Sequence, residues 1–273
     1  MANDLETLAS MEYPGRFLIV GKSVDGIETI ACYGLTGRST SSQARTFAEG
    51  KTTCTIRTQV TDQRQLENGS PALLLYPAMA FHEGAVVASN GAQTKLLYTH
   101  LRFNIDIMHT PKMVRENNLL HRSICSDVLC EALKKPFYEY DQKDDRWIDI
   151  TAFEPDAPHY TPRINLVTLG DHAIFSIIKN DSTGFHSHIH NITLEPGLGK
   201  LLSTYTGENK EPLPSFQGDP LPVNTPWLSP EKTVSAVYDA LNPKYRVCVV
   251  AVHTDGKKIR TARIDRHANE VST

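Results

Sequence analysis

Between Thr36 and Arg45 the chain reads Thr-Gly-Arg-Ser-Thr-Ser-Ser-Gln-Ala-Arg. Backbone N–H groups, hydroxyls and two fork-shaped guanidinium groups this close together suit a phosphate or another oxyanion. Arg38 and Arg45 are the clamps this composition offers, and Ser39 can add a hydrogen bond to phosphate. Asn90-Gly91 closes an apolar run. It can present an amide and a bare backbone to a ligand, or only turn the chain. Two other spacings invite chemistry and are set aside. Gly21-Lys22-Ser23 looks like the end of a phosphate loop, but the preceding glycine is Gly15 and an apolar run fills the gap. His186, His188 and His190 alternate along one strand face, a spacing that can bind zinc, and are set aside as a metal site.

A longer ordered series surrounds the arginine segment. Tyr13-Pro-Gly-Arg runs into the apolar Phe17–Val20. Leu75-Tyr76-Pro77, Val87-Ala-Ser-Asn-Gly-Ala-Gln-Thr94 and Phe153-Glu-Pro-Asp156 follow. Tyr160-Thr-Pro-Arg-Ile164, Leu202-Ser-Thr-Tyr205 and Ser229-Pro-Glu complete it. In this order the chain resembles the archaeal-type IMP cyclohydrolases, over roughly residues 13 to 265. Thr-Pro-Arg-Ile with a glutamate shortly upstream is the most specific part. The segment from Arg38 to Arg45, and the spacing from Glu154 to Thr161, are slightly longer than in the archaeal form.

The resemblance implies closure of the purine ring of 5-formamidoimidazole-4-carboxamide ribotide (FAICAR) to IMP with loss of water, the last step of de novo purine biosynthesis. Such a reaction must hold one conformer, stabilise charge on the formyl oxygen and move protons. It needs no metal and no cofactor. The resemblance makes Glu154 the first candidate for proton transfer and Tyr76 a donor to the formyl oxygen or a proton relay. It sets Arg45 near the reacting amide, and Arg38 or Arg163 on phosphate or base. Asn90, Gly91, Thr161 and Ser39 fill out the binding set. In isolation Glu154 reads as a loop acid, Tyr76 as a core tyrosine and each arginine as a surface charge. Two alternatives stay open: a purine-nucleotide-binding relative without catalysis, and an amide hydrolase on the same fold. The second needs a Cys, Ser or Thr as the mature first residue, and none directly precedes Tyr13.

The elements that must position these residues follow from periodicity. Phe17–Val20, Ile30–Tyr33, Leu73–Leu75 and Ala85–Ala88 predict strands, with Glu83-Gly84 a tight turn. Leu97, Leu101 and Ile105 predict a helix over Thr94–Met108, its face closed by Met108. After Pro111, Met113, Leu120, Ile124 and Val128 predict a second helix, stopped by Pro136. Residues 137–150 are polar and acidic and read as a solvated surface insertion. Ile164–Leu169, Ala173–Ile178, Phe185–Leu194 and Leu201–Tyr205 predict strands, with a hairpin loop over Asn180–Gly184. A proline-rich extended loop spans 207–230. Ser229-Pro230-Glu231 starts a helix, and Arg246–Val252 and Lys258–Ile264 end the chain as strands. This is an α+β order of antiparallel sheets. The resemblance selects from it a four-layer αββα sandwich, like the N-terminal nucleophile (NTN) hydrolases. Residues 1–12 read as a polar extension and 13–273 as one domain.

Net charge is −3, from 28 basic and 31 acidic residues, which gives no electrostatic case for nucleic acid or membrane binding. Five cysteines without a CxxC pair read as reduced thiols in a cytoplasmic protein. No apolar run reaches the ~20 residues that cross a bilayer. A homo-oligomer is expected, of a size the sequence does not fix.

Overall fold

The computed structural model describes residues 5–50, 54–66, 71–181 and 184–267. Two antiparallel sheets dominate. The first carries β1 (Arg16–Lys22), β2 (Thr29–Thr36), β12 (Leu198–Ser203), β13 (Leu221–Asn224), β14 (Arg246–Thr254) and β15 (Ile259–Asp265), in the order β13-β12-β1-β2-β14-β15. The second carries β3 (Arg45–Glu49), β4 (Thr55–Val60), β5 (Pro77–His82), β6 (Ala85–Ser89), β9 (Arg163–Leu169), β10 (His172–Asp181) and β11 (Gly184–Thr193), in the order β11-β10-β9-β6-β5-β4-β3.

Strand composition explains the layering. β1, β2 and β9 are buried along their whole length, as apolar runs covered on both faces must be. Leu18, Val20 and Tyr33 of the first sheet meet Phe47, Ala88 and Leu166 of the second in one apolar cluster. The alternate residues Phe17, Ile19 and Val249 pack instead with Val234 and Val237 of the helix α7 (Pro230–Ala240). On the second sheet, Val87 and Val167 pack with Leu97 of α4 (Thr94–Arg102) and Ile124 and Val128 of α6 (Leu119–Leu133).

Local signals account for the element ends. Ser229 caps α7 by accepting from the Lys232 N–H, with Pro230 in the first turn and Glu231 beside the positive end. Val234, Val237, Tyr238 and Leu241 are all buried, each contributing roughly 1.5–3 kcal/mol as an apolar side chain removed from water. Glu83 and Gly84 both take positive φ, the two-residue turn that matches strand twist, and close the β5–β6 hairpin.

Several expectations are corrected. Leu73–Leu75 is not a strand: Pro71–Leu74 forms a short helix, α3, and the strand begins at Pro77. The helix expected to Met108 is α-helical only to Arg102 and continues as a π-helix over Phe103–Met108. Wider winding turns Met108 outward, 59% exposed, while Leu97, Leu101 and Ile105 stay buried. The next helix is broken at Asn117 into α5 (Pro111–Glu116) and α6, so Met113 leaves the buried face. Residues 137–150 are not a loop but a hairpin, β7 (Tyr138–Asp141) with β8 (Arg146–Asp149), and Tyr140 packs on Trp147 at 5.3 Å. The polar N-terminal extension contains a helix, α1 (Glu6–Ala9), and Leu5, Leu8 and Met11 are buried beside α7. The proline-rich loop holds β13, an edge strand, where Pro222 breaks no interior ladder. The turn expected over Asn180–Gly184 lies partly outside the described residues.

Candidate active site

Three arginines each begin a strand: Arg16 in β1, Arg45 in β3 and Arg163 in β9. They meet at one end of the two sheets, Arg16 and Arg45 on the wall of a cavity of about 300 Å3 and Arg163 behind it. The loop between β8 and β9 brings Glu154 into its wall, 3% exposed.

Glu154 organises the site. Its Oε1 accepts from Arg16 Nη1 at 2.8 Å and from Arg163 Nη1 at 2.7 Å. Both guanidinium groups also reach the Asn90 carbonyl, at 3.4 and 3.2 Å. Oε2 accepts no hydrogen bond among the described residues. The buried charge is therefore compensated on one oxygen, and the other is left for a ligand. Burial opposes the charge of Arg16, but Glu154 and then Tyr76, Tyr33 and Tyr205 hold its pKa well above the ordinary arginine value.

Arg45 is anchored by one bond, Nε to the Ser42 carbonyl at 2.9 Å. Its two Nη groups make no hydrogen bond among the described residues, which leaves a donor fork on the cavity wall. Ser39 is the N-cap of α2 (Thr40–Gln43) in a reciprocal capping box with Ser42, and both serines line the cavity. Arg38 crosses the Tyr13 ring at 5.3 Å and pairs with Glu211 at 3.2 Å and Asn209 at 3.3 Å. Nδ1 of His159 accepts from the Leu213 N–H at 3.1 Å, so Nε2 carries the proton toward Glu211 at 3.0 Å.

The structure thus brings Arg38, Ser39, Arg45, Glu154 and Thr161 to one wall. Tyr76, Asn90, Gly91 and Arg163 stand behind it. The Asn90 side chain is spent on backbone: Nδ2 donates to the Pro162 carbonyl at 2.7 Å and Oδ1 accepts the Ile164 N–H at 2.9 Å. Gly91 is needed for space, because a Cβ there would lie 2.0 Å from Arg163 Nη1. The Tyr76 hydroxyl meets the Tyr33 hydroxyl at 2.9 Å in the inter-sheet core. Burial, then the Tyr76 hydroxyl, pushes the Tyr33 phenol well up, with Arg16 and Arg45 opposing.

Sequence reasoning passed over Arg16, Asp156, His159 and Tyr205, all on the cavity wall, and Tyr33 behind it. Arg16, Asp156 and Tyr205 sit inside the motifs quoted above, so the signal was present. Gly15, at φ +73°, explains the Pro-Gly before Arg16: a Cβ would lie 2.2 Å from Thr204 Oγ1 and 2.5 Å from the Tyr205 ring.

A family model described as IMP cyclohydrolase-like protein matches residues 13–113 and 126–258. The chain belongs to the IMP cyclohydrolase-like family. Comparison with curated proteins gives no match. The matched ranges contain every residue that lines the cavity, from Tyr13 to Leu213.

Other cavities carry less. One of about 210 Å3 lies at the opposite end of the sheets, where Lys22 is paired with Asp171 and Arg115 with Glu83. Another, about 630 Å3, adjoins the candidate site and shares His159 and Leu213 with it. Among the described residues no three His, Cys, Asp or Glu side chains converge as a metal site. The histidine row is engaged otherwise: His186 stacks on His188 at 5.9 Å, and His190 faces Asp219 at 3.4 Å. No helix among the described residues is long and apolar enough to cross a membrane.

Proposed function

We propose that the protein closes the purine ring of FAICAR to IMP with release of water. The observation that carries this reading is Glu154, held through Oε1 by Arg16 and Arg163 with Oε2 open to the cavity. The carboxamide nitrogen attacks the formyl carbon of the same molecule, and Glu154 Oε2 takes the proton that the nitrogen must lose. The Nη groups of Arg45 stabilise charge developing on the formyl oxygen. Tyr76, hydrogen-bonded to the Tyr33 hydroxyl behind the wall, serves as a proton relay rather than a direct contact. Arg38 and Ser39 take the phosphate, Arg38 by exchanging Glu211 for it, and Arg163 with Asn90 and Gly91 fixes Glu154 from behind. Thr161 sits on the same wall. Rigid placement supplies much of the rate, since nucleophile and electrophile share one molecule. The adjoining basin behind His159 gives the ribotide room.

The fold reading that accompanies this function is the four-layer, NTN-hydrolase-like sandwich, one domain over residues 13–273, with 137–150 as a surface insertion. Cysteines that form no disulfide among the described residues and a small nucleotide substrate fit a cytoplasmic enzyme with neither nucleic acid nor membrane as partner. A homo-oligomer is its proposed assembly. The test is incubation of purified protein with FAICAR, with IMP identified chromatographically. Turnover well above buffer is expected. Tight IMP binding without turnover would replace this reading with a nucleotide-binding role.

A further inference from the structure

On the cavity wall, three oxygens form a line that the ring-closing reading does not use. The Thr161 N–H donates to Asp156 Oδ1 at 2.7 Å, and Thr161 Oγ1 bonds Asp156 Oδ2. Thr161 Oγ1 also meets the Tyr205 hydroxyl at 2.7 Å. All three residues line the cavity, and Thr161 is 2% exposed.

Hydrogen counting fixes the direction of this line. With Asp156 ionised, the single Thr161 proton points to Oδ2. Tyr205 must then donate to Thr161, and its oxygen offers the cavity only lone pairs. With Oδ2 protonated the two hydroxyl bonds reverse, while the Thr161 N–H still donates to Oδ1. Asp156 donates to Thr161, Thr161 donates to Tyr205, and the Tyr205 O–H is released toward the cavity. Two states of the same three residues thus differ by one proton delivered at Tyr205.

We propose that Asp156, Thr161 and Tyr205 form a hydroxyl relay that delivers a proton to the oxygen leaving a ligand in the cavity, while Glu154 takes the proton that the nitrogen loses. The proposal rests on the ring-closing reading for the identity of that oxygen. In the ring-closed intermediate the former formyl oxygen is a hydroxyl, its first proton taken from solvent. Its C–O bond breaks as it takes the Tyr205 proton and leaves as water, the Thr161 proton moves to Tyr205, and the Asp156 proton moves to Thr161. The former formamide nitrogen sheds its N–H proton to solvent as its electron pair forms the new C=N bond. Asp156 ends ionised, Glu154 Oε2 holds the proton lost by the carboxamide nitrogen, and exchange with solvent restores both. Nothing is oxidised or reduced.

The surroundings agree with this division of labour. Glu154 is faced by two guanidinium groups through Oε1. Asp156 has no such partner among the described residues. Burial, then the negative charge of Glu154, raises its carboxyl above the usual range, against hydrogen bonds from Thr161 and the charge of Arg16. Tyr13, Arg38, Arg45, His159 and Tyr205 are the other titratable and charged groups on the wall. Two carboxylates in environments that differ this way are suited to opposite proton roles.

Thr161→Val breaks the relay without changing any charge, and Thr161→Ser keeps the hydroxyl. The expected result with FAICAR is a kcat about 100-fold lower in Thr161→Val, with KM within about threefold, and recovery of most of the rate in Thr161→Ser. Equal kcat in wild type and Thr161→Val would overturn the relay. Should Thr161→Val fail to fold, Tyr205→Phe cuts the relay at its other end with the same two outcomes. A substrate-free readout separates this from the ring-closing reading. The protonated-carboxyl infrared band that Asp156→Asn abolishes should shift in frequency and in titration midpoint in Thr161→Val. An unmoved band would overturn the relay. Wild type that makes no IMP would end the ring-closing reading, and the infrared result would then decide the relay by itself.

Discussion

Arg163 and Glu154 are nine residues apart in the chain and 2.7 Å apart in the site, and the arginine is only 1% exposed. A guanidinium this deep is tolerable only because the carboxylate meets it, and the reverse also holds. Removing either partner strands a buried charge. Arg163→Met should lower the unfolding free energy by about 3 kcal/mol or more, whereas Arg45→Met, which loses one backbone hydrogen bond, should cost about 1 kcal/mol. Urea titration of both variants checks this, and equal stability of the two would contradict the ion pair.

Gly91 does not line the candidate cavity, yet its substitution should reach the chemistry. A Cβ would lie 2.0 Å from Arg163 Nη1 and 2.5 Å from Gln93 Oε1. Arg163 must shift, and Glu154 with it. Gly91→Ala should therefore reduce turnover of FAICAR by about 10-fold to 100-fold, a displacement of about 1 Å being enough. Steady-state kinetics at matched folded fraction is the check.

Arg38 and Arg45 should separate in IMP binding. Arg45 presents two unengaged Nη groups, and Arg38 must first release Glu211, which is 62% exposed at the side chain. Arg45→Ala should leave IMP binding nearly unchanged, since IMP no longer carries the formyl oxygen that Arg45 faces, and should lower kcat with FAICAR by about 100-fold. Arg38→Ala should weaken IMP binding by an amount that shrinks as salt rises. Calorimetric titration at two salt concentrations measures the binding of both variants, and steady-state kinetics the kcat.

His253 gives the acid limb of stability a definite sign. It is fully buried between Thr233 on α7 and Glu28, and burial lowers its pKa below the ordinary 6.5 against the pull of Glu28. The unfolded chain then binds the proton more readily than the folded one. The His253 contribution is complete above pH 6.5 and is lost as pH falls through the window below it. His253→Gln should flatten that slope in urea titrations at stepped pH.

Strands and caps were legible where local chemistry decides them. Phe17–Val20 and Arg246–Val252 are apolar on both faces, and the Ser-Pro-Glu start of α7 needs no distant partner. Leu73–Leu75 misled because a short apolar run fits helix or strand equally, and tertiary packing chose helix. Residues 137–150 misled because charge hides a hairpin whose buried positions include Asp141, Ile148 and the adjoining Ile150. Within the site, resemblance nominated Glu154, but nothing local marks Arg16 as its partner, 138 residues away. The sharing of Glu154 Oε1 by two arginines is a product of the folded sheets alone.

The most direct test of the central claim compares wild type with Glu154→Gln, following IMP formed from FAICAR by absorbance. Wild type should turn over rapidly, and Glu154→Gln should lose about 100-fold or more in kcat while still binding IMP. Undiminished kcat in Glu154→Gln would contradict the role assigned to Glu154 Oε2.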